Sequence, residues 1–418
     1  MGGEDGPSQS APPDSFLTGS GLRFVRVRLG VLPLLVSLAA QQPVTRAEAV
    51  AAALARGARV AIGRADTAAA RGITRSARAF PNPTLSASYT KSVPQHHAIV
   101  DWPLDLPWLR AARIGAAASA QDAARYGFAL ERAAIRFDVE TTYTRALAAA
   151  AHARLSRRTA QDADSLLTMA RLRREVGDVS ELDVRLAAVN AGQLENAAVD
   201  DSLAAADAVL AVQLAMGLQG EERTIALADS LAPPTDSFAV AVGEPLPVAQ
   251  AAGSLRSAER TLTFVRRSLF APSFEVGVEA KDPTGSEPGL LPTFGISLPI
   301  PLFNWSGGEA AQASAARDRA RAELDLVRRE TAASVARSRR ELAAALARVR
   351  RDEDILASAD RVAAMSLQAY AEGAIALANV LEAQRNAREA LGRYIDDLAA
   401  ADGAAAAVRL LTTVAEQP

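Results

Sequence analysis

The stretch Phe80-Pro-Asn-Pro-Thr-Leu-Ser-Ala-Ser-Tyr89 returns in outline as Phe270-Ala-Pro-Ser-Phe-Glu-Val-Gly-Val-Glu279. Each follows an arginine-rich segment of helical spacing and opens a run of period two, the mark of a strand. In the first run Leu85, Ala87 and Tyr89 face one way while Ser86, Ser88 and Thr90 face the other. In the second, Phe274, Val276 and Val278 alternate with Glu275, Gly277 and Glu279. A face of apolar residues backed by a face that tolerates glutamate suits a sheet set between lipid and water.

Outward from these runs the repetition continues in order. Pro103-Leu-Asp-Leu-Pro-Trp108 is matched by Pro299-Ile-Pro-Leu-Phe-Asn-Trp305, each closing a β-like run and opening a very long helical pattern. Gly177-Asp-Val-Ser-Glu-Leu-Asp-Val184 is matched by Gly373-Ala-Ile-Ala-Leu-Ala-Asn-Val380, each a short break before a second helix. Lys91 and Lys281, the only two lysines, fall at matching places. Ordered agreement at one offset is the signature of a duplicated unit. The expected organisation is a polar leader and signal peptide over 1–40 and a first repeat over 41–216. A linker rich in Pro, Gly and Asp over 217–247, a second repeat over 248–411 and a tail over 412–418 follow. Strands are expected at 84–91 and 98–106, then at 273–281 and 291–299. Each repeat is helix, strand, strand, very long helix, loop, helix, with a single first helix over 46–79. Apolar or small residues at Leu324, Val327, Thr331, Val335, Ser338, Leu342 and Leu346 give the long helices a weak coiled-coil seam. About 65 residues at 1.5 Å rise make a rod of about 100 Å.

Composition narrows the chemistry. The chain has 418 residues, a formal net charge of -2, three histidines and no cysteine. Near neutrality gives no general pull toward nucleic acid. Zero cysteine excludes disulfides, thiolate catalysis, Cys-ligated zinc and a lipidated N-terminal cysteine. No Ser-His-Asp order, phosphate loop, HExxH or Rossmann fingerprint occurs, so no enzyme, cofactor or metal is expected. Arg23, Arg26 and Arg28 precede the apolar run Leu29–Ala40, with Ser37 and Ala39 at peptidase spacing. That reads as an export signal cleaved after Ala39 or Ala40. The run is short for a membrane span, and no other reaches about 18 apolar residues.

Four short strands cannot close a barrel, since the smallest need about eight. An open sheet cannot leave its edge groups in a bilayer. Three copies would supply twelve strands and would join the long helices into one tube. The fold class expected is therefore mainly α with a small β part, and the architecture is a trans-envelope conduit.

At this point the sequence resembles the TolC-like outer-membrane efflux proteins. The resemblance rests on Phe80-Pro-Asn-Pro-Thr-Leu, Ile296-Ser-Leu-Pro-Ile-Pro-Leu-Phe303, Gly177-x5-Asp183-Val184 and Tyr370-x2-Gly373-x6-Val380-Leu-Glu-Ala-Gln-Arg385. It covers roughly Val44 to Leu411. It implies a trimeric twelve-stranded outer-membrane barrel continuous with an α-helical periplasmic tunnel, the homotrimeric exit duct of a tripartite pump or type I secretion system, held in outer-membrane lipid. It also implies a periplasmic membrane-fusion adaptor and an inner-membrane transporter of RND or ABC type as partners. The stretch Leu104-x-Leu-Pro-Trp-Leu-Arg-Ala-Ala-Arg-Ile114 looks like the heavy-metal (cobalt–zinc–cadmium, copper) branch. By the same resemblance Tyr370, Asp183, Asn379 and Glu382 lie at a periplasmic gate, with Tyr370 and Asp183 hydrogen-bonded between neighbouring coils and Glu382 in a lumenal acidic ring. Gly177, Val179, Gly373 and Ile375 lie in the tip loops that face the adaptor. Two departures stand out: Ile375 where an arginine reinforces closure in the family, and Asn379 in place of a carboxylate.

The tip glycines are also explained by turn chemistry alone, and Glu382 by a solvated helix face. His96 and His97 are read as loop residues between the first two strands rather than metal ligands. Trp102, Trp108 and Trp305 fit either an interfacial belt or a core. The competing function is a periplasmic coiled-coil adaptor or scaffold without a barrel.

Overall fold

The computed structural model describes residues 43–91, 95–218, 225–234, 243–268, 272–280, 291–298, 300 and 305–414. The expected signal segment, Lys281, Phe270 and parts of the linker and tail lie outside the described residues. Element order is β1 (Pro43–Val44), α1 (Arg46–Arg56), α2 (Ala58–Arg78), β2 (Thr84–Tyr89), β3 (His96–Pro103), α3 (Pro107–Glu175) and α4 (Glu181–Ala215). Then come β4 (Ala226–Leu227), α5 (Leu246–Ser268), β5 (Ser273–Ala280), β6 (Leu291–Ser297), α6 (Gly307–Ala371) and α7 (Leu377–Thr412). No described helix is long and apolar enough to cross a membrane.

The first helix is two helices, and Gly57 is the reason. A capping box between Thr45 and Glu48 starts α1, and Gly57 takes an extended conformation that ends it. A Cβ there would stand 2.5 Å from the Ala53 carbonyl oxygen, so only glycine makes this corner. The strands also shift: β3 starts at His96 rather than 98. His96 and His97 are thus in a strand and not in a loop, pairing with Tyr89 and Ser88 across the hairpin.

The four long strands form one antiparallel sheet in the order β2-β3-β5-β6. Its register aligns Leu85 with Val100, Val100 with Val276, and Val276 with Phe294. Directly opposed residues share a face. One face therefore carries Leu85, Ala87, Tyr89, Val100, Trp102, Phe274, Val276, Phe294 and Ile296. The other carries Ser86, Ser88, His97, Ile99, Asp101, Glu275, Gly277, Thr293 and Gly295, polar or small but for Ile99. Gly277 meets the Thr293 hydroxyl where any Cβ would clash. Leu85, Phe294 and Ile296 are each more than 70% exposed in the single chain, an apolar face with nothing on it. Strands β2 and β6 are the sheet's two edges.

Beyond the sheet α3 (69 residues) and α6 (65 residues) are the longest described helices, each antiparallel to its return helix. Alanines dominate the buried seam, among them Ala146, Ala163, Ala170, Ala345, Ala401 and Ala405, and small side chains let helix axes approach closely. Leu324, Thr331, Ser338 and Leu342 are buried as the spacing predicts, and Val327, Val335 and Leu346 are half-buried.

A node that sequence reading missed ties the first helices to both hairpins. Tyr143 is fully buried, and its hydroxyl donates to the Val44 carbonyl at 2.7 Å. The Arg46 guanidinium lies 5.9 Å over that ring and pairs with buried Asp402 on α7 at 2.7 Å. The Arg46 backbone N–H donates to Asp229, and β1 pairs in parallel with β4. The linker is thus stitched to the core. Two-residue strands leave no periodic signal, which is why they escape a pattern search.

Candidate functional site: the hairpin tips

Each long hairpin turns through the same backbone motif. Gly177 and Gly373 have φ of 83° and 77°, the left-handed region that costs glycine nothing. The Gly177 N–H donates to Arg174 O and the Asp178 N–H to Arg173 O. The Gly373 N–H donates to Tyr370 O and the Ala374 N–H to Ala369 O. Both are Schellman caps, which satisfy the last carbonyls of the incoming helix. Val179 and Ile375 then sit half-buried at matching places.

The outgoing helices start differently. Ser180 caps α4 in a capping box: its hydroxyl accepts from the Asp183 N–H, and Asp183 accepts from the Ser180 N–H at 3.1 Å and hydroxyl at 2.8 Å. Ala376 caps α7 with no side-chain bond. Sequence reading missed Ser180, although Ser-x-x-Asp is a near relative of the capping-box signature.

The two tips share one core. Leu166, Leu167, Ala170 and Ala187 of the first hairpin pack with Tyr370, Leu377 and Val380 of the second, with Val184 and Ile375 against them. Tyr370 is 2% exposed. Arg173 reaches across from α3: its guanidinium lies 4.8 Å over the Tyr370 ring and donates to the Tyr370 carbonyl at 2.6 Å. It therefore caps the C-terminal end of α6 from outside the second repeat, where a cation also complements the helix dipole. No sequence signal marked Arg173, because a residue that acts across two hairpins has no local pattern.

Within one chain the Tyr370 hydroxyl is buried and has no hydrogen-bond partner among the described residues. The bond expected between Tyr370 and Asp183 is not formed inside the chain, and Asp183 is instead occupied by its cap. Burial raises the Tyr370 phenol above its ordinary value, and the Asp183 charge nearby adds to this against the opposing effect of Arg173. Asn379 and Glu382 are exposed. Glu382 accepts from Arg385 at 2.7 Å and from Asn386 at 3.4 Å, and the Arg385 hydrogen bond holds its carboxyl below the usual glutamate value. His97 lies 3.3 Å from the Thr90 hydroxyl, and His96 packs on Tyr89 with ring centroids 5.3 Å apart. The described residues hold no group of three or more His, Asp or Glu placed for a metal ion.

This arrangement, an amphipathic four-strand sheet over two long hairpins with paired tips, has counterparts. Residues 248–413 match the outer membrane efflux protein family model. The chain carries an outer membrane efflux protein domain. That domain is of the outer membrane efflux type, and the adaptor-or-scaffold alternative is not favoured. No curated protein matches it in sequence. Among solved structures, the outer membrane protein VceC of Vibrio cholerae superposes with TM-score 0.76 at 16% identity, over 88% of this chain and 96% of that one. The CmeC outer membrane channel of Campylobacter jejuni gives 0.71 at 14% identity, over 88% and 85%. The open state of the Neisseria gonorrhoeae MtrE outer membrane channel gives 0.67 at 13% identity, over 88% and 88%. At such identities these likenesses speak for the fold.

Proposed function

We propose that three copies of the chain close their sheets into one twelve-stranded barrel and their hairpins into one tube. This tube is the exit duct of a tripartite efflux pump or a type I secretion system. The observation that carries the reading is the sheet: one face apolar and uncovered, the other polar, with edges β2 and β6. Unpaired edge groups cannot stay in hydrocarbon, and copies of the same chain are the simplest supply of strands. Supporting it, Leu182, Leu186 and Val189 on α4 and Val362 and Met365 on α6 are exposed at helical spacing in the single chain, as a tube wall awaiting neighbours would be.

In this duct the tips narrow the periplasmic entrance, with Tyr370, Asp183 and Asn379 at the gate. Gly177, Val179, Gly373 and Ile375 present the loops to a periplasmic adaptor, behind which stands an RND or ABC transporter. Glu382 and its paired Arg385 set the charge beside the throat. Transport is passive, so no residue is catalytic.

The chain's lack of cysteine makes the test clean. Ser88→Cys on β2 and Thr293→Cys on β6 are joined with a bifunctional maleimide in intact outer membranes. Covalent dimers and trimers, and nothing larger, are expected from the double variant, with neither from each single one. Exclusively monomeric product at full labelling would refute closure by neighbouring copies.

A further inference from the structure

The arginines are not spread evenly along the helices. Along the tunnel several stand beside acids, Arg185 with Glu181, Arg319 with Glu323, Arg337 with Glu341 and Arg385 with Glu382, while others such as Arg321 and Arg361 are scattered singly over the helix faces. At the junction between strands and helices they stand nearly alone. Arg71, Arg75 and Arg78 end α2, and Arg266 and Arg267 end α5; all five are exposed, and none has an acidic partner among the described residues. Three contacts bring these helix ends to one level with the start of α3. Arg110 donates to Arg78 O at 2.7 Å, Arg267 donates to Trp108 O at 3.3 Å, and the Leu104 N–H donates to Pro272 O at 3.1 Å. Besides the exposed Glu309 in the first turn of α6, the acid at this level is Asp105. Its side chain is 3% exposed and already holds Arg110 and Arg113, each at 2.9 Å.

Complementing the helix dipole does not account for the set. The terminal carbonyls of α2 are already taken, Ala77 O and Ala79 O by Arg113 and Arg78 O by Arg110. Arg71, Arg75 and Arg78 are spaced four and three apart and share a face. They carry three uncompensated charges outward with no duty in the fold. Trp108 and Trp305, 54% and 65% exposed, stand at the same junction, as interfacial aromatics do.

We propose that Arg71, Arg75, Arg78 and Arg266 form a cationic collar that takes the phosphate groups of anionic phospholipids in the leaflet facing the periplasm. This rests on the sheet's spanning the outer membrane. The occupant is fixed by charge and place: the arginines lie where the strands end, so a headgroup phosphate meets them while its acyl chains lie along the apolar sheet face. A guanidinium holds a phosphate through two parallel hydrogen bonds. The collar fixes the barrel's depth in the bilayer.

The three tryptophans, Trp102, Trp108 and Trp305, are the only ones in the chain and report on this level directly. Purified full-length protein is reconstituted in phosphatidylcholine vesicles, and its fluorescence is quenched with brominated phosphatidylglycerol or brominated phosphatidylcholine. The expected result is a preference for phosphatidylglycerol of roughly threefold to tenfold at low salt, lost at high salt. Changing Arg71, Arg75, Arg78 and Arg266 together to Gln should bring the ratio close to one, while Arg185→Gln with Arg319→Gln and Arg337→Gln should leave it intact. Equal quenching by the two lipids in the wild type, or a preference that salt does not reduce, overturns the collar. No quenching by either lipid shows that the protein is not in the bilayer, and that outcome sinks the barrel reading itself.

Discussion

The two hairpins share a backbone and differ in what holds it. Both turn through a Schellman glycine, but the first tip then fixes itself with the Ser180 and Asp183 box, while the second starts α7 on bare Ala376. What the second lacks locally it receives from the first: Arg173 holds the Tyr370 carbonyl and covers its ring. The same asymmetry recurs higher up. Ser156 on α3 donates to Asp201 on α4. At the positions 196 residues later, Asp352 on α6 faces Asp397 on α7. One repeat has a satisfied hydroxyl–carboxylate pair and the other two carboxyl groups, with one Asp352 oxygen buried and without a donor. A duplicated backbone can thus hold one self-sufficient arm and one that is dependent and loosened, and the dependent arm carries Tyr370.

If that division is right, breaking the shared contact should hurt the second tip most. Tyr370→Ala empties a buried site and should lower the local opening free energy of the tip amides by about 3 kcal/mol or more. Arg173→Met, which keeps bulk but loses the bond to Tyr370 O, should cost about 1–2 kcal/mol. In hydrogen exchange its effect should be larger around 370–377 than around 177–184; the reverse order would contradict the dependence of the second tip on the first. The caps give a smaller and opposite pair of effects. Ser180→Ala should loosen the first tip by about 1 kcal/mol, and Ala376→Ser should tighten the second by several tenths to 1 kcal/mol. A null effect of Ala376→Ser would mean that Arg173 already saturates that end.

The acid pair gives a pH test. Asp352 is raised above its ordinary value, first by burial and then by Asp397, with Arg348 and Arg351 opposing. Arg348 pairs with Asp397 at 2.7 Å. A raised acid stabilises the fold while protonated, below the unfolded aspartate value, and that contribution disappears as pH rises through the folded one. Asp352→Asn should therefore raise stability at neutral pH and change little in acid, measured by denaturant unfolding across pH. A gain of equal size at every pH would reject the assignment. The smallest effect is expected at the throat. Because Arg385 offsets Glu382, Arg385→Gln should raise cation preference in reversal-potential measurements, and Glu382→Gln should lower it only slightly. Glu382 is held below the usual glutamate value by Arg385, so its contribution should persist as pH falls through the ordinary glutamate range.

What could be read from sequence was whatever repeats or has a period. The alternation in Leu85–Tyr89 and Phe274–Val278 announced both faces of the sheet, and the paired glycines at 177 and 373 announced the two turns. Gly57 was passed over because one glycine inside a helical pattern is usually tolerated; only its extended conformation against Ala53 O makes it a corner. His96 and His97 were taken for loop residues because polar residues near a turn look alike whether or not they pair. At the tips, family likeness points to Tyr370 and Asp183, but the side chain that Tyr370 meets inside the chain is Arg173. Cross-hairpin contacts depend on how two rods align, and no local pattern encodes that.

The central claim is that this chain makes a water-filled conduit whose narrow end is set by the tips. Single-channel recording in planar bilayers tests it most directly. Purified wild-type protein should give discrete, low conductance steps, and Tyr370→Ala should give larger ones at the same salt. Bilayers that stay electrically silent while tryptophan quenching shows inserted protein would contradict the account.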